Sequence, residues 1–558
     1  MRVSLMLVLL LAPGLIGWGL PDPGDRHEVR QVAAQSAPMP EACFAQTGKC
    51  VRGLFYAYWA ANGALERQGF PITDEIDEVD PGSGKTFRVQ YFERSRFEYH
   101  QELVNTPFVV LLGAIGRQEF AAHFPQGRTP TGTGQGGGGC FAETGYCISP
   151  GAFLDYWQRT GGLAQHGYPI SDEFAEKLED GNTYQVQYFE RARFEYHPEY
   201  VGTPSVVLLG RLGVQQFAAR YPGGQPAAQT TPAINVWAGT IGGMHPNVAN
   251  IPPRVYVPDE LRGDITVIDP LTFKIIDRYP SGVTAHHVGP NPGMTKLYVN
   301  NMGSNNLLEI DAQTGKPIRT VFAAVPYNLY FTTDGTKAIV AAEPNNRLDF
   351  YDPVSWRVIK SVPMGCSGVD HLDMSADGRY LLVSCEFDGQ VIKVDTVAMA
   401  IIGRMSVGGL PVDVKLSPDG SVFYIANQGR HGVSIIDPVS MRELDFLRTG
   451  QGAHGLAISR DTKSLYVANR LAGTISTIDF ASGQIVNTWF IGGSPDMLQV
   501  SPDGTQLWAS GRFNGAVYVV DTTNGTLMAT IPTGTAPHGL AYFPQPGQIS
   551  IGHNGVYR

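Results

Sequence analysis

ITVID (265–269), LLEID (307–311), LDFYD (348–352), VIKVD (391–395), VSIID (433–437), ISTID (475–479) and VYVVD (517–521) are one phrase written seven times. The closing aspartates, Asp269, Asp311, Asp352, Asp395, Asp437, Asp479 and Asp521, are spaced by 42, 41, 43, 42, 42 and 42 residues. So constant a period identifies a repeat architecture before any local propensity is weighed. Each unit holds four apolar runs of four to seven residues separated by turn chemistry, which predicts four short strands and no helix. Four-stranded units repeated radially form a β-propeller, and seven copies predict seven blades.

The turns point the same way. TTDG (332–335), SADG (375–378) and SPDG (417–420 and 501–504) follow the first strand of their units, and glycine supplies the positive φ that a tight hairpin corner needs. The strands after them read KLYVNN, AIVAAE, LLVSCE, FYIAN, LYVAN and LWASG. This wording resembles the YVTN family of β-propellers over about residues 254–558, a resemblance that implies the fold but not the job, because such propellers host unrelated functions.

Outward from the repeats, the 558-residue chain is too long for one core. Its net charge of −10 and its lack of any basic run leave no electrostatic footprint for a nucleic-acid partner. Residues 1–20 place Arg2 before the apolar run VSLMLVLLLAPGLIG and are expected to be a secretory signal, with an uncleaved anchor as the alternative. No later segment is apolar enough to span a membrane, so the mature chain is expected to carry no span. Six cysteines fall in three local pairs, Cys43 with Cys50, Cys140 with Cys147 and Cys366 with Cys385. Three disulfides in an oxidising compartment fit export to the periplasm, the cell surface or the medium.

Residues 43–124 and 140–221 are a second, different duplication. CFAQTGKC matches CFAETGYC, VQYFERSRFEYHQE matches VQYFERARFEYHPE, and LLGAIGRQEF matches LLGRLGVQQF. Each copy is expected to be a small α+β module clipped by its own disulfide. In the first, Leu54, Phe55, Tyr58 and Trp59 mark one apolar face of a helix that ends at Gly63, and two aromatic-rich strands meet around Glu93 to Ser95. The module resembles a tandem unit of exported bacterial proteins and, distantly, LGFP repeats; the latter resemblance implies cell-wall polysaccharide as a partner. On the residues alone, Glu98 and Glu195 would either hold sugar hydroxyls beside exposed aromatics or belong to a solvated face over an aromatic core. The Gly-, Thr- and Pro-rich segments 125–139 and 222–250 read as linkers, which makes the globular parts beads on a string.

Chemistry is expected where the repeats converge. Aligned on Val288, Leu329, Leu372, Val414, Leu456, Leu498 and Leu540, which open the innermost strands, the two preceding positions supply His286, His287, Asn328, Asp370, His371, Asp413, His454, Asp496 and His538. Equivalent positions ring a propeller's channel, so these residues are expected to line a ligand pocket at one mouth, with His286, His371, His454 and His538 as candidate metal ligands. The ends of the second strands add Asn301, Glu343, Glu386, Asn427, Asn469 and His553. The alternative for these polar residues is to satisfy loop backbone between blades.

One count stays open. VYVPD (255–259) and ISIGH (549–553) both match second strands, giving eight candidates for seven places. The reading that results is a mainly β, monomeric, exported binding or interaction protein with a ligand or metal pocket, its partner a polysaccharide or a surface protein. Two enzyme readings stand beside it. One is a metal- or cofactor-dependent redox enzyme, after the likeness of the histidine ring to nitrite reductase, nitrous oxide reductase and quinoprotein propellers, although no haem-attachment motif is present. The other is a lactonase-like hydrolase holding calcium through Asn301, Glu343, Asn427 and Asp413.

Overall fold

The computed structural model describes residues 39–80, 83–128, 139–226, 234–553 and 557–558. The expected signal at 1–20 and most of the linker at 125–139 lie outside them. Among the described residues no helix is long and apolar enough to cross a membrane.

Residues 254–543 form seven four-stranded antiparallel sheets. The innermost strands of the second to seventh are Ala285–Pro290, Asn328–Phe331, Val369–Met374, Pro411–Leu416, Ala453–Ile458 and Pro495–Val500. Every residue of the first five except Ile458 is buried, whereas outermost strands such as Lys274–Pro280 are largely exposed. The inner strands are thus covered on both faces, and the polar residues they carry, such as His286, Asp370 and Asp413, are buried with them.

Neighbouring sheets are tied by inner-strand side chains that accept an amide from the next sheet. Tyr330 Oη takes Leu372 N at 3.0 Å, Asp373 Oδ2 takes Leu416 N at 2.8 Å, and Asp413 Oδ2 takes Leu456 N at 2.9 Å. Gly539 N donates to His286 O at 2.9 Å, joining the end of the repeats to the second sheet.

The open strand count resolves at the first sheet. Arg254–Asp259 occupies the second-strand place, paired on one side with Asp264–Asp269 and on the other with Ala541–Phe543, so the two ends of the repeat region share one sheet. ISIGH therefore is not a second strand. Gly552, at φ +95°, bridges Tyr330, and a Cβ on it would lie 2.5 Å from Leu329 O; a Cβ on Gly289 would lie 2.7 Å from Gly552 C. Two glycines thus let the tail pass between the second and third sheets.

The modules are not beads. Each has a disulfide-clipped start, a helix (Gly53–Ala61 and Ala152–Arg159) and a four-stranded sheet, but they exchange their last helices. Phe120, from Ile115–His123 of the first module, packs on Val186 and Tyr188 of the second; Phe217, from Leu212–Arg220 of the second, packs on Val89 and Tyr91 of the first. The first module also shares a core with the propeller, where Leu54, Phe55 and Trp59 join Val414, Leu416 and Phe423. The expected linker 222–250 joins that core through Val236 and Trp237, whose Nε1 donates to Leu416 O at 3.0 Å. Large apolar side chains decided this, since a small module cannot bury them alone.

Candidate metal centre

The inner strands deliver paired side chains by a local irregularity. In the second sheet Ala285 pairs with Asn301 and Val288 with Val299, so one extra residue is accommodated across His286–His287. The same bulge holds Asp370–His371, Val412–Asp413, His454–Gly455 and Asp496–Met497. A bulge re-aims its side chains. Histidines from non-neighbouring sheets consequently meet: ring centroids are 5.0 Å apart for His287 and His371, 6.2 Å for His371 and His454, and 5.8 Å for His454 and His538. Only side chains pointing inward from their sheets can do this.

Six imidazoles gather there, His286, His287, His371, His454, His538 and, from the tail, His553, each 3% exposed or less. Three sets bring ligand atoms within 4.8 Å of one another: His286, His287 and His538; His287, His371 and His553; and His454, Asp496 and His538. The four histidines expected as metal ligands thus divide among overlapping sets, and His287 and His553 enter beside them.

Burial fixes the charge state. It drives His286 and His538 well below the ordinary imidazole range, with Arg512 adding to both. His454 is lowered by burial and Arg470, and His553 falls to about 3 through burial. Neutral imidazole is the form that binds metals. His371 is the exception, because Asp370 and Asp413 outweigh its burial and raise it. His286 Nδ1 and His371 Nε2 lie buried without a hydrogen-bond partner among the described residues, His538 Nε2 faces Asp496 Oδ2 at 3.6 Å, and His538 Nδ1 lies 3.2 Å from His286 Nε2. Buried polar atoms are ordinarily satisfied, so a cluster of such atoms with imidazole and carboxylate chemistry fits a metal ion.

Other expected site residues are structural. Asp413 accepts Val414 N at 2.9 Å, Leu456 N at 2.9 Å and Lys415 Nζ at 3.0 Å, and Lys415, His553 and His371 hold it ionised despite burial. Asn328 Oδ1 takes Leu329 N, which leaves Nδ2 to donate to His553 Nδ1 at 2.8 Å. That assigns the His553 proton to Nε2, which faces Asp413 at 3.6 Å. Arg558 pairs with the buried Asp373. Asn301 and Asn427 bind the loops at Ser281 and at Gly408 and Leu410, and Asn469 does the same at Thr449. The calcium set imagined from Asn301, Glu343, Asn427 and Asp413 therefore has three members engaged elsewhere.

Glu343 and Glu386 are raised to about 7 and about 8 by burial and by Asp370. Arg470 Nε holds Asp496 Oδ1 at 2.8 Å, and Arg512 holds Glu260 at 2.5 Å, itself 3.7 Å from His286. These arginines escaped the sequence reading, yet the period finds them: Glu260, Glu386, Arg470 and Arg512 are separated by multiples of 42. Glu98 and Glu195 pair with the buried Arg96 and Arg193, which removes them as sugar-holding groups.

The profile of the YNCE-like beta-propeller family matches residues 239–545. Among solved structures, the chain is similar to a functionally unknown protein from Desulfotomaculum acetoxidans (16% identity, 52% of this chain and 98% of that one, TM-score 0.47). It is also similar to hydrazine synthase of Kuenenia stuttgartiensis (18%, 46% and 88%, TM-score 0.42). A third is a putative 6-phosphogluconolactonase from Bacteroides fragilis (16%, 54% and 100%, TM-score 0.45). No curated protein matches the sequence.

Proposed function

Because the chain belongs to the YNCE-like beta-propeller family, we propose that its seven sheets close into a seven-bladed ring whose axis holds a transition-metal ion. His286, His287 and His538 are the primary ligands, and His454 with Asp496 offers an adjoining position that shares His538. The observation that carries this reading is the convergence of buried imidazoles whose ligand atoms lie within 4.8 Å of one another, with His286 and His538 held neutral by burial. An imidazole-dominated set suits copper, zinc, iron or nickel better than calcium or magnesium. Bound there, such an ion would supply a strong positive centre enclosed by protein. The residues' own part is to present neutral nitrogen, to balance charge through Asp496, and to exclude water. Burial this deep favours binding over turnover. Three disulfides support an exported protein.

The experiment is titration of Cu(II) and Zn(II) into chelator-treated full-length protein, read by calorimetry. At least one ion per chain is expected. His538→Ala should weaken binding by about 100-fold, from roughly 3 kcal/mol per imidazole if a structural zinc's 10–16 kcal/mol is divided among four ligands. Failure to bind either ion, or unchanged affinity in the variant, would refute the assignment.

A further inference from the structure

A groove runs between the module pair and the propeller, away from the histidines. Its two adjoining cavities, of about 380 and 630 Å³, share Tyr58, Asn62, Pro107, Val110 and Arg379. The helix Gly53–Ala61 and the Pro107–Phe108 turn line one side, the propeller turn around Arg379 another, and residues 161–165 of the second module continue the larger cavity.

Four cations line it in a chain whose net charge is −10: Arg67, Arg191 and Arg379 in the larger cavity, Arg379 and Lys393 in the smaller. The side-chain hydrogen bonds of Arg67, Arg191 and Lys393 go to neutral carbonyls. Arg67 donates to Thr160 O at 2.8 Å, Arg191 to Leu112 O at 3.1 Å and Leu163 O at 2.9 Å, and Lys393 to Pro438 O at 2.7 Å. The acids nearby are engaged: Glu190 pairs with Arg117 at 2.5 Å and accepts Tyr168 N at 3.2 Å, and Asp377 accepts Ser375 Oγ at 2.6 Å. Tyr58 is raised by burial, and Arg191, Arg379 and Arg67, which line the same cavity, act on it in the opposite direction. Phe108, 54% exposed, and Tyr168 add aromatic surface.

We infer that this groove binds an acidic polysaccharide. Guanidiniums matched to carbonyls keep donors for carboxylate or phosphate oxygens. Aromatic faces beside them suit the apolar faces of sugar rings, and two connected cavities exceed what one small anion fills. The groove draws on both modules and the propeller, so it exists only in the packed chain.

The test is affinity electrophoresis of the full chain in gels containing polygalacturonate, a phosphodiester-linked teichoic acid, neutral dextran or polyphosphate. Polygalacturonate or teichoic acid should retard the protein, the stronger of the two naming the anion, with dextran at least tenfold weaker. Arg379→Glu and Arg67→Glu should each reduce retardation at least tenfold with metal content unchanged, and Arg379→Glu should also leave the melting temperature unchanged. Dextran binding equal to that of the acidic polymers would overturn the inference. So would polyphosphate binding as strong as theirs, since charge alone would then suffice, or retardation indifferent to both variants.

Discussion

Acidification of the metal-free protein should unfold it from the axis outward. His286, His454 and His538 are held below the ordinary imidazole range by burial, and His553 and the module histidine His166 fall to about 3. Between pH 6.5 and 4.5 the unfolded chain protonates these five while the folded chain does not, so stability falls as pH falls. Glu343 and Glu386, raised to about 7 and about 8, act oppositely: the folded chain already carries their protons in that window. Five groups against two leave about three protons, a slope of at most roughly 4 kcal/mol per pH unit at about 1.4 kcal/mol per proton. Against a typical total of 5–15 kcal/mol, an unfolding transition above about pH 4 is expected. Above pH 6.5 the sign reverses, because His371 and the two glutamates lose native-state protons, so stability should peak near neutrality. Urea unfolding of chelator-treated protein in half-unit steps from pH 4.5 to 8.5 measures this, and His553→Asn should flatten the acid limb by about one proton. A stability that is flat or rising on acidification would refute the burial argument.

Three further outcomes follow from the packing. Arg558→Met should cost about 3 kcal/mol in chemical unfolding, because Asp373 would stay buried without its cation. Gly213→Ala places a Cβ 1.9 Å from Phe92 O of the other module, so it should destabilise by more than the roughly 1 kcal/mol of an average substitution. Without the helix exchange that clash would not exist, and a neutral melting temperature would contradict it. Cys366→Ser with Cys385→Ser frees the segment that leads to the Asp370–His371 bulge and should cost about 2–4 kcal/mol, measurable as a lower urea midpoint.

The propeller was legible in the sequence because its signal is periodic: seven copies of one phrase set strand number, turn positions and the alignment that puts His286, His454 and His538 on one rung and His371 on the next. The same alignment grouped Asp413 and Asn328 with them, and alignment cannot distinguish a side chain aimed at a ligand from one that ties an inner strand to its neighbour. That distinction depends on which donors lie nearby, here Lys415 and two backbone amides for Asp413. His553 was visible only as an ambiguous second-strand match, since the tail's course follows from the fit of Gly289 and Gly552 rather than from any period. The helix exchange was hidden for a related reason. Two modules with near-identical wording predict the same helix-on-sheet contact within a module or between modules, and only chain geometry chooses.

Anomalous diffraction at the metal edge, from crystals of copper- or zinc-loaded full-length protein, tests the central claim most directly. A peak is expected on the propeller axis, within bonding distance of ring nitrogens of His286, His287 and His538. A peak elsewhere on the chain, or none in protein shown by unfolding to be intact, would contradict it.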